Sequence, residues 1–129
     1  MKTIEDRNGI EFLVDTFYKQ VIDDILLGPL FTNVFKLDFE KHKPIMCDFW
    51  ETTLLEKFIY KGNPLLKHLQ VNKLTPLKEE HFARWIDLWE KTVYKYFNGE
   101  KADQAIQRAK VMGHVIMAKI KEGANNKFI

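Results

Sequence analysis

Apolar side chains recur at three- and four-residue intervals along most of this 129-residue chain, the spacing that gathers side chains onto one face of a helix. Breaks fall at Gly28-Pro29, at Lys61-Gly62-Asn63-Pro64, at Thr75-Pro76 and at Asn98-Gly99. Between them the pattern predicts a helix over Gly9–Asp24 with Asn8 as its cap, and a second starting at the cap Asp38 and running to Tyr60. Pro44 is tolerable in the second because it lies near the first turn, where its missing donor costs little. A third long helix is opened by Thr75-Pro76, and a fourth covers Ala102 to Lys121. LFTNVFKL, after Pro29, reads as a compact turn or single helical turn. A short helix after Pro64 carries His68. No alternating pattern of useful length, internal repeat or low-complexity stretch is present, so the fold class is all-α.

A chain of this length forms one domain across residues 1–129, with the first few residues and 124–129 expected to fray. Hydrophobic residues are 46% and charged residues 29%, the balance of a water-soluble globule. Ten phenylalanines push the aromatic share to 13%, which calls for a core or a ligand with large flat surfaces. The net charge of +2 is spread without a basic cluster, which argues against a nucleic-acid partner. Cys47 is the only cysteine and forms no internal disulfide, no apolar run approaches the roughly 20 residues of a membrane span, and no leader-like start is seen. A cytoplasmic, non-membrane protein is therefore expected. Serine is absent altogether, which removes a serine triad, and no HExxH, paired cysteine or Gly-rich phosphate loop is present.

Two histidines stand out from this background. His42 shares a helical face with Phe39, Ile45, Met46, Phe49, Trp50 and Thr53, while His68 follows Pro64 with Leu65 and Leu69 beside it. If their helices cross, an apolar slot forms with an imidazole on each wall, and an iron porphyrin fits such a slot. Haem needs only one strong protein ligand and a large dry cavity. For each histidine taken singly, a hydrogen-bonded structural imidazole is the alternative reading.

FYKQV around Phe17 and Tyr18, HKPIMCDFW from His42 to Trp50, NPLLKHL ending on His68 and HFARW ending on Trp85 follow one another in this order. In that order and spacing they resemble the truncated haemoglobins, and within them the third group. The resemblance runs from about Ile10 to Lys121. The Gly-Gly pairs common at helix junctions in the other groups are missing here, which fits the third. It implies a shortened 2-over-2 helical sandwich around b-type haem, with His68 as the proximal ligand to the iron. Tyr18, His42 and Trp85 then belong to the distal face. Phe17, Met46, Phe49, Trp50 and Trp85 would contact the cofactor, with simple core packing as the alternative for Phe17, Phe49 and Trp50. Met46 is read as a pliable wall residue and not as an axial ligand. His42 has three open roles: donor to bound gas, swinging gate, or distal ligand to the iron. Lys43, Lys61, Lys67 and Lys73 flank the two histidine segments as partners for the haem propionates.

The implied function is reversible, tight binding of dioxygen, carbon monoxide, nitric oxide or other small ligands through a polar distal pocket. Tyr offers an O–H and Trp an N–H to a ligand that gains negative charge. Turnover of nitric oxide or peroxide, if it occurs, requires an external reductase, because no flavin or nicotinamide domain is recognised. The alternative is a haem-based or haem-free helical sensor or interaction module without gas chemistry.

Overall fold

The computed structural model describes residues 2–34, 36, 38–64, 68, 69, 72 and 75–126, the last four of these as backbone only. Four long helices carry the fold: α1 (Arg7–Asp23), α2 (Phe39–Leu55), α3 (Glu79–Tyr96) and α4 (Glu100–Asn126), with a π-helical turn at Leu30–Val34 between the first two. α1 packs on α2 and on α3, α3 on α4, and α2 more lightly on α4. This is the all-α 2-over-2 arrangement expected of a truncated globin. Among the described residues no helix is long and apolar enough to cross a membrane.

Side chains near each helix end set boundaries that periodicity places only approximately. α1 begins two residues early because Asp6, not Asn8, is the cap, its carboxylate accepting from the Gly9 N–H at 3.0 Å. Asp38 caps α2 as expected, accepting from the Lys41 N–H. α2 stops at Leu55 and not at Tyr60. Glu56 turns into the left-handed region at φ 57°, and the chain folds back so that the Ile59 and Tyr60 N–H groups donate to Thr52 Oγ1 at 3.0 and 2.9 Å. α3 starts at Glu79, after the expected Thr75-Pro76 opening, because the Lys78 N–H is satisfied by His81 Nδ1 at 2.9 Å. Gly99, at φ 96°, makes the sharp connection into α4, a conformation that costs glycine little. α4 runs on to Asn126, past the expected Lys121; residues 127–129 lie outside the described residues. The N-terminal segment, expected to fray, is instead tied down: Ile4 is 1% exposed and Lys2 bridges to Phe97.

The core is assembled from the inward faces of all four helices and includes Leu13, Val14, Phe17, Val21, Cys47, Trp50, Leu54, Trp89, Val93, Ala105 and Ala109. A buried polar link ties α1 to α3: Gln20 Nε2 donates to Thr92 Oγ1, which donates to the Leu88 carbonyl. On the other side Arg7 clamps α1 to α2, its guanidinium reaching Asp48 at 2.6 Å and Glu51 at 2.8 Å.

The turn after α1 positions the entry to α2, and two residues govern it. A Cβ at Gly28 would press into the Ile22 carbonyl oxygen. Gly28→Ala is therefore expected to lower stability by about 1–3 kcal/mol, the usual cost of forced overpacking, read as a shifted urea midpoint with unchanged slope. The second is Asp24, whose side chain is only 5% exposed. Its carboxylate accepts from the Leu26 and Leu27 N–H groups at 3.1 and 3.0 Å and from Arg84 on α3 at 2.7 Å. Burial pushes this carboxyl up, but the Arg84 guanidinium and the two N–H donors outweigh it and hold it below the usual aspartate range. A group with a depressed folded pKa contributes stability above its unfolded value and loses it as the pH falls through the folded one. Asp24→Asn is thus expected to cost about 1–2 kcal/mol at neutral pH, as for a lost cap. It should also flatten the acid limb of the stability profile below about pH 4, measured by denaturant titration at a series of pH values.

Candidate functional site

Four segments converge on one region: α1 brings Tyr18, α2 brings His42 and Met46, the stretch between α2 and α3 brings His68, and α3 brings Phe82 and Trp85. Tyr18 is 7% exposed. Its ring lies 6.1 Å from the His42 imidazole at 86°, with Phe39 at 5.5 Å, Phe31 at 6.0 Å and Phe17 at 5.1 Å around it. Burial pushes the Tyr18 hydroxyl far above its ordinary range and so keeps it protonated. Trp85 packs on Phe17, which touches both rings.

His68 is half-buried, with its ring 6.0 Å from Phe82. Its Nδ1 lies 2.7 Å from the Pro64 carbonyl oxygen. A carbonyl can only accept, so Nδ1 carries the hydrogen and Nε2 presents a lone pair. Burial lowers the pKa of His68, and the Pro64 bond opposes this only in part. His42 is lowered too, first by burial and then by the charge of His68, so the two imidazoles lie within electrostatic reach of each other. Both are neutral near pH 7, the form that binds a metal.

This donor set fits a haem iron. The arrangement of backbone carbonyl, Nδ1–H and outward Nε2 fixes tautomer and ring orientation, as the outer partner of a metal-ligating histidine generally does. Tyr18 stands beside His42 within an aromatic cage. No family profile matches the chain. The group 3 truncated hemoglobin ctb of Campylobacter jejuni subsp. jejuni serotype O:2 is 33% identical over 110 residues, spanning 83% of this chain and 84% of that protein. The chain belongs to the group III truncated haemoglobins. The crystal structure of a group III truncated hemoglobin from Campylobacter jejuni superposes with a TM-score of 0.80 at 31% identity, covering 93% of this chain and 95% of that one.

Within this truncated haemoglobin the residues singled out from the sequence fall into two sets. Tyr18, His42, Trp85 and His68 come together in one region, and Met46, one turn after His42, is half-buried against the core. Phe17 and Trp50 lie deeper, in the core. Phe17 is fully buried against Tyr18, Trp85 and Trp89, and Trp50 stacks on Trp89 at 4.6 Å. Phe49 stands edge-on to Trp50 and Tyr60. Of the lysines considered for propionates, Lys43 is paired with Asp15 at 2.7 Å, and Lys61 is exposed. Lys67 and Lys73, like Leu65, lie outside the described residues.

Three contributors escaped the sequence reading. Pro64 was read only as a breaker, although its carbonyl orients His68. Phe31, in a stretch read only as a turn, joins Phe39 of the His42 face in caging Tyr18. Trp89 looked like one more apolar residue of a helical stripe, and nothing in its spacing announced a contact with Trp50.

Proposed function

We propose that this truncated haemoglobin binds b-type haem through His68 Nε2 and holds dioxygen and other diatomic ligands on the face lined by Tyr18, Trp85 and His42. The observation that carries the reading is the 2.7 Å bond from His68 Nδ1 to the Pro64 carbonyl, which leaves Nε2 as the one lone-pair nitrogen of the ring. Haem, when bound, supplies the iron that takes the gas and exchanges electrons. The chain does the rest. His68 anchors the ring and keeps it in one orientation. The Tyr18 phenol, kept protonated by burial, donates to a ligand that gains negative charge, with the Trp85 indole as a second donor. Phe17, Phe31 and Phe39 hold that phenol in place and exclude water from it. A donor bond to such a ligand is worth about 1.5–3 kcal/mol, so slow release and a scavenging or redox role follow more readily than delivery.

Turnover of nitric oxide or peroxide at the same pocket draws its electrons from an external reductase. A carbonyl partner on His68 supports ligand binding more than peroxide cleavage, since a carboxylate there would raise imidazole basicity further. Titration of the purified chain with haem tests the assignment. An intense near-ultraviolet band that shifts when the reduced protein meets carbon monoxide is expected; a chain that takes up no haem would instead be a haem-free helical module.

A further inference from the structure

The chain's three tryptophans form one continuous stack. Trp85 and Trp89, one turn apart on α3, have ring centres 5.9 Å apart and planes within 6°, and Trp50 of α2 lies on Trp89 at 4.6 Å and 20°. Phe49 follows edge-on, 5.1 Å from Trp50 and 5.3 Å from Tyr60. The stack starts on the distal side, where Trp85 and Tyr18 both pack on Phe17, and ends at a half-buried tyrosine whose neighbours Phe58 and Ile59 are 80% and 42% exposed. Filling a core does not call for this. Leucine or isoleucine would occupy the space without an N–H that must find a partner. Trp89 meets that need through the Ala105 carbonyl at 3.1 Å, an acceptor too weakly basic to take the proton away. An indole that loses an electron here keeps its N–H, and the resulting charge spreads over stacked neighbours.

We propose that the Trp85–Trp89–Trp50 stack passes single electrons between the distal pocket and the Tyr60 side of the protein, so that peroxide reduced in the pocket draws on a hydroquinone-class reductant outside. The proposal rests on the haem-binding reading. Hydrogen peroxide accepts two electrons and two protons, its O–O bond breaks and two waters form. The hydroquinone supplies both electrons and releases both protons as it becomes the quinone. Each electron crosses separately, and no proton enters or leaves the indoles. The exposed apolar lip of Phe58 and Ile59, flanked by the exposed Lys57 and Lys61, suits a flat aromatic donor.

The test uses the haem-loaded chain, whose spectrum shows before any peroxide is added whether haem has bound. Failure to bind haem overturns both readings; the outcomes below concern the stack alone. With hydrogen peroxide and no reductant, freeze-quench electron paramagnetic resonance is expected to show an indole radical, and peptide mapping oxygen addition at Trp50 and Tyr60. Trp89→Phe should reduce modification at both sites by about tenfold while Trp85 remains modified. Should Trp89→Phe fail to fold, Trp50→Phe shortens the stack from its far end and is expected to speed peroxide bleaching of the haem band several-fold. Modification confined to Trp85 and haem in the wild type, equal modification of Trp50 in Trp89→Phe, or unchanged bleaching in Trp50→Phe would each overturn the proposal.

Discussion

His68→Ala is expected to strip this protein of its haem, with retention through gel filtration weakened by more than about a hundredfold, since altering even an outer partner of a ligand costs about 10–100-fold. The effect is large because haem is held by a single strong protein ligand. Phe82 is the ring packed beside His68, and an aromatic hydrocarbon offers iron nothing. Added imidazole should restore the pigment by filling the space left behind, which separates loss of a ligand from loss of the fold. His42→Ala serves as the control, keeping the bond from position 68 and changing only the spectrum that reports the other face. Pigment held by His68→Ala with an unaltered axial ligand would end the assignment.

The second large effect is expected at Tyr18. Tyr18→Phe removes one hydroxyl from a site that is 7% exposed and leaves the aromatic cage in place, so the change is almost purely the loss of a donor. At about 1.5–3 kcal/mol for a hydrogen bond to a charged partner and about 1.4 kcal/mol per decade, dioxygen should leave roughly 10–100 times faster. Carbon monoxide, which polarises less, should show a much smaller change. Trp85→Phe removes a second N–H donor whose ring shares Phe17 with Tyr18. The two substitutions are therefore expected to be non-additive, with a coupling of about 0.5–3 kcal/mol in a double-mutant cycle, as found for residues with a shared partner. Stopped-flow displacement of dioxygen by carbon monoxide measures all four proteins. An off-rate unchanged in Tyr18→Phe would remove the distal donor from the account.

Both expectations rest on residues that the sequence pointed to, but their geometry came from elsewhere. Position 68 was legible because a histidine after a proline break sits among leucines. The orientation of its ring was not, since it depends on a carbonyl of the backbone four residues earlier, and every residue has a carbonyl. Tyr18 and Trp85 lie 67 positions apart (85 − 18), and no local pattern links them; only the packing of α1 on α3 does.

The boundaries of the helices show the same division at shorter range. Asp38 was recognised as a cap because it directly precedes an amphipathic run, while α1 was taken by Asp6 with Asn8 equally eligible in sequence. The early end of α2 depends on Thr52 receiving two N–H groups from residues seven and eight positions later, a closure that periodicity does not encode.

The sequence by itself determined the helical class, the number of long helices, the breaks between them and which faces turn inward, because apolar burial follows a period that is written residue by residue. Tertiary structure alone decided which aromatic rings met. The aromatic cage around the Tyr18 phenol and the stack joining Trp50 to Trp89 arise between elements distant in the chain. Contacts of that kind depend on the angle and depth at which helices cross, and those are set by the whole packed core at once.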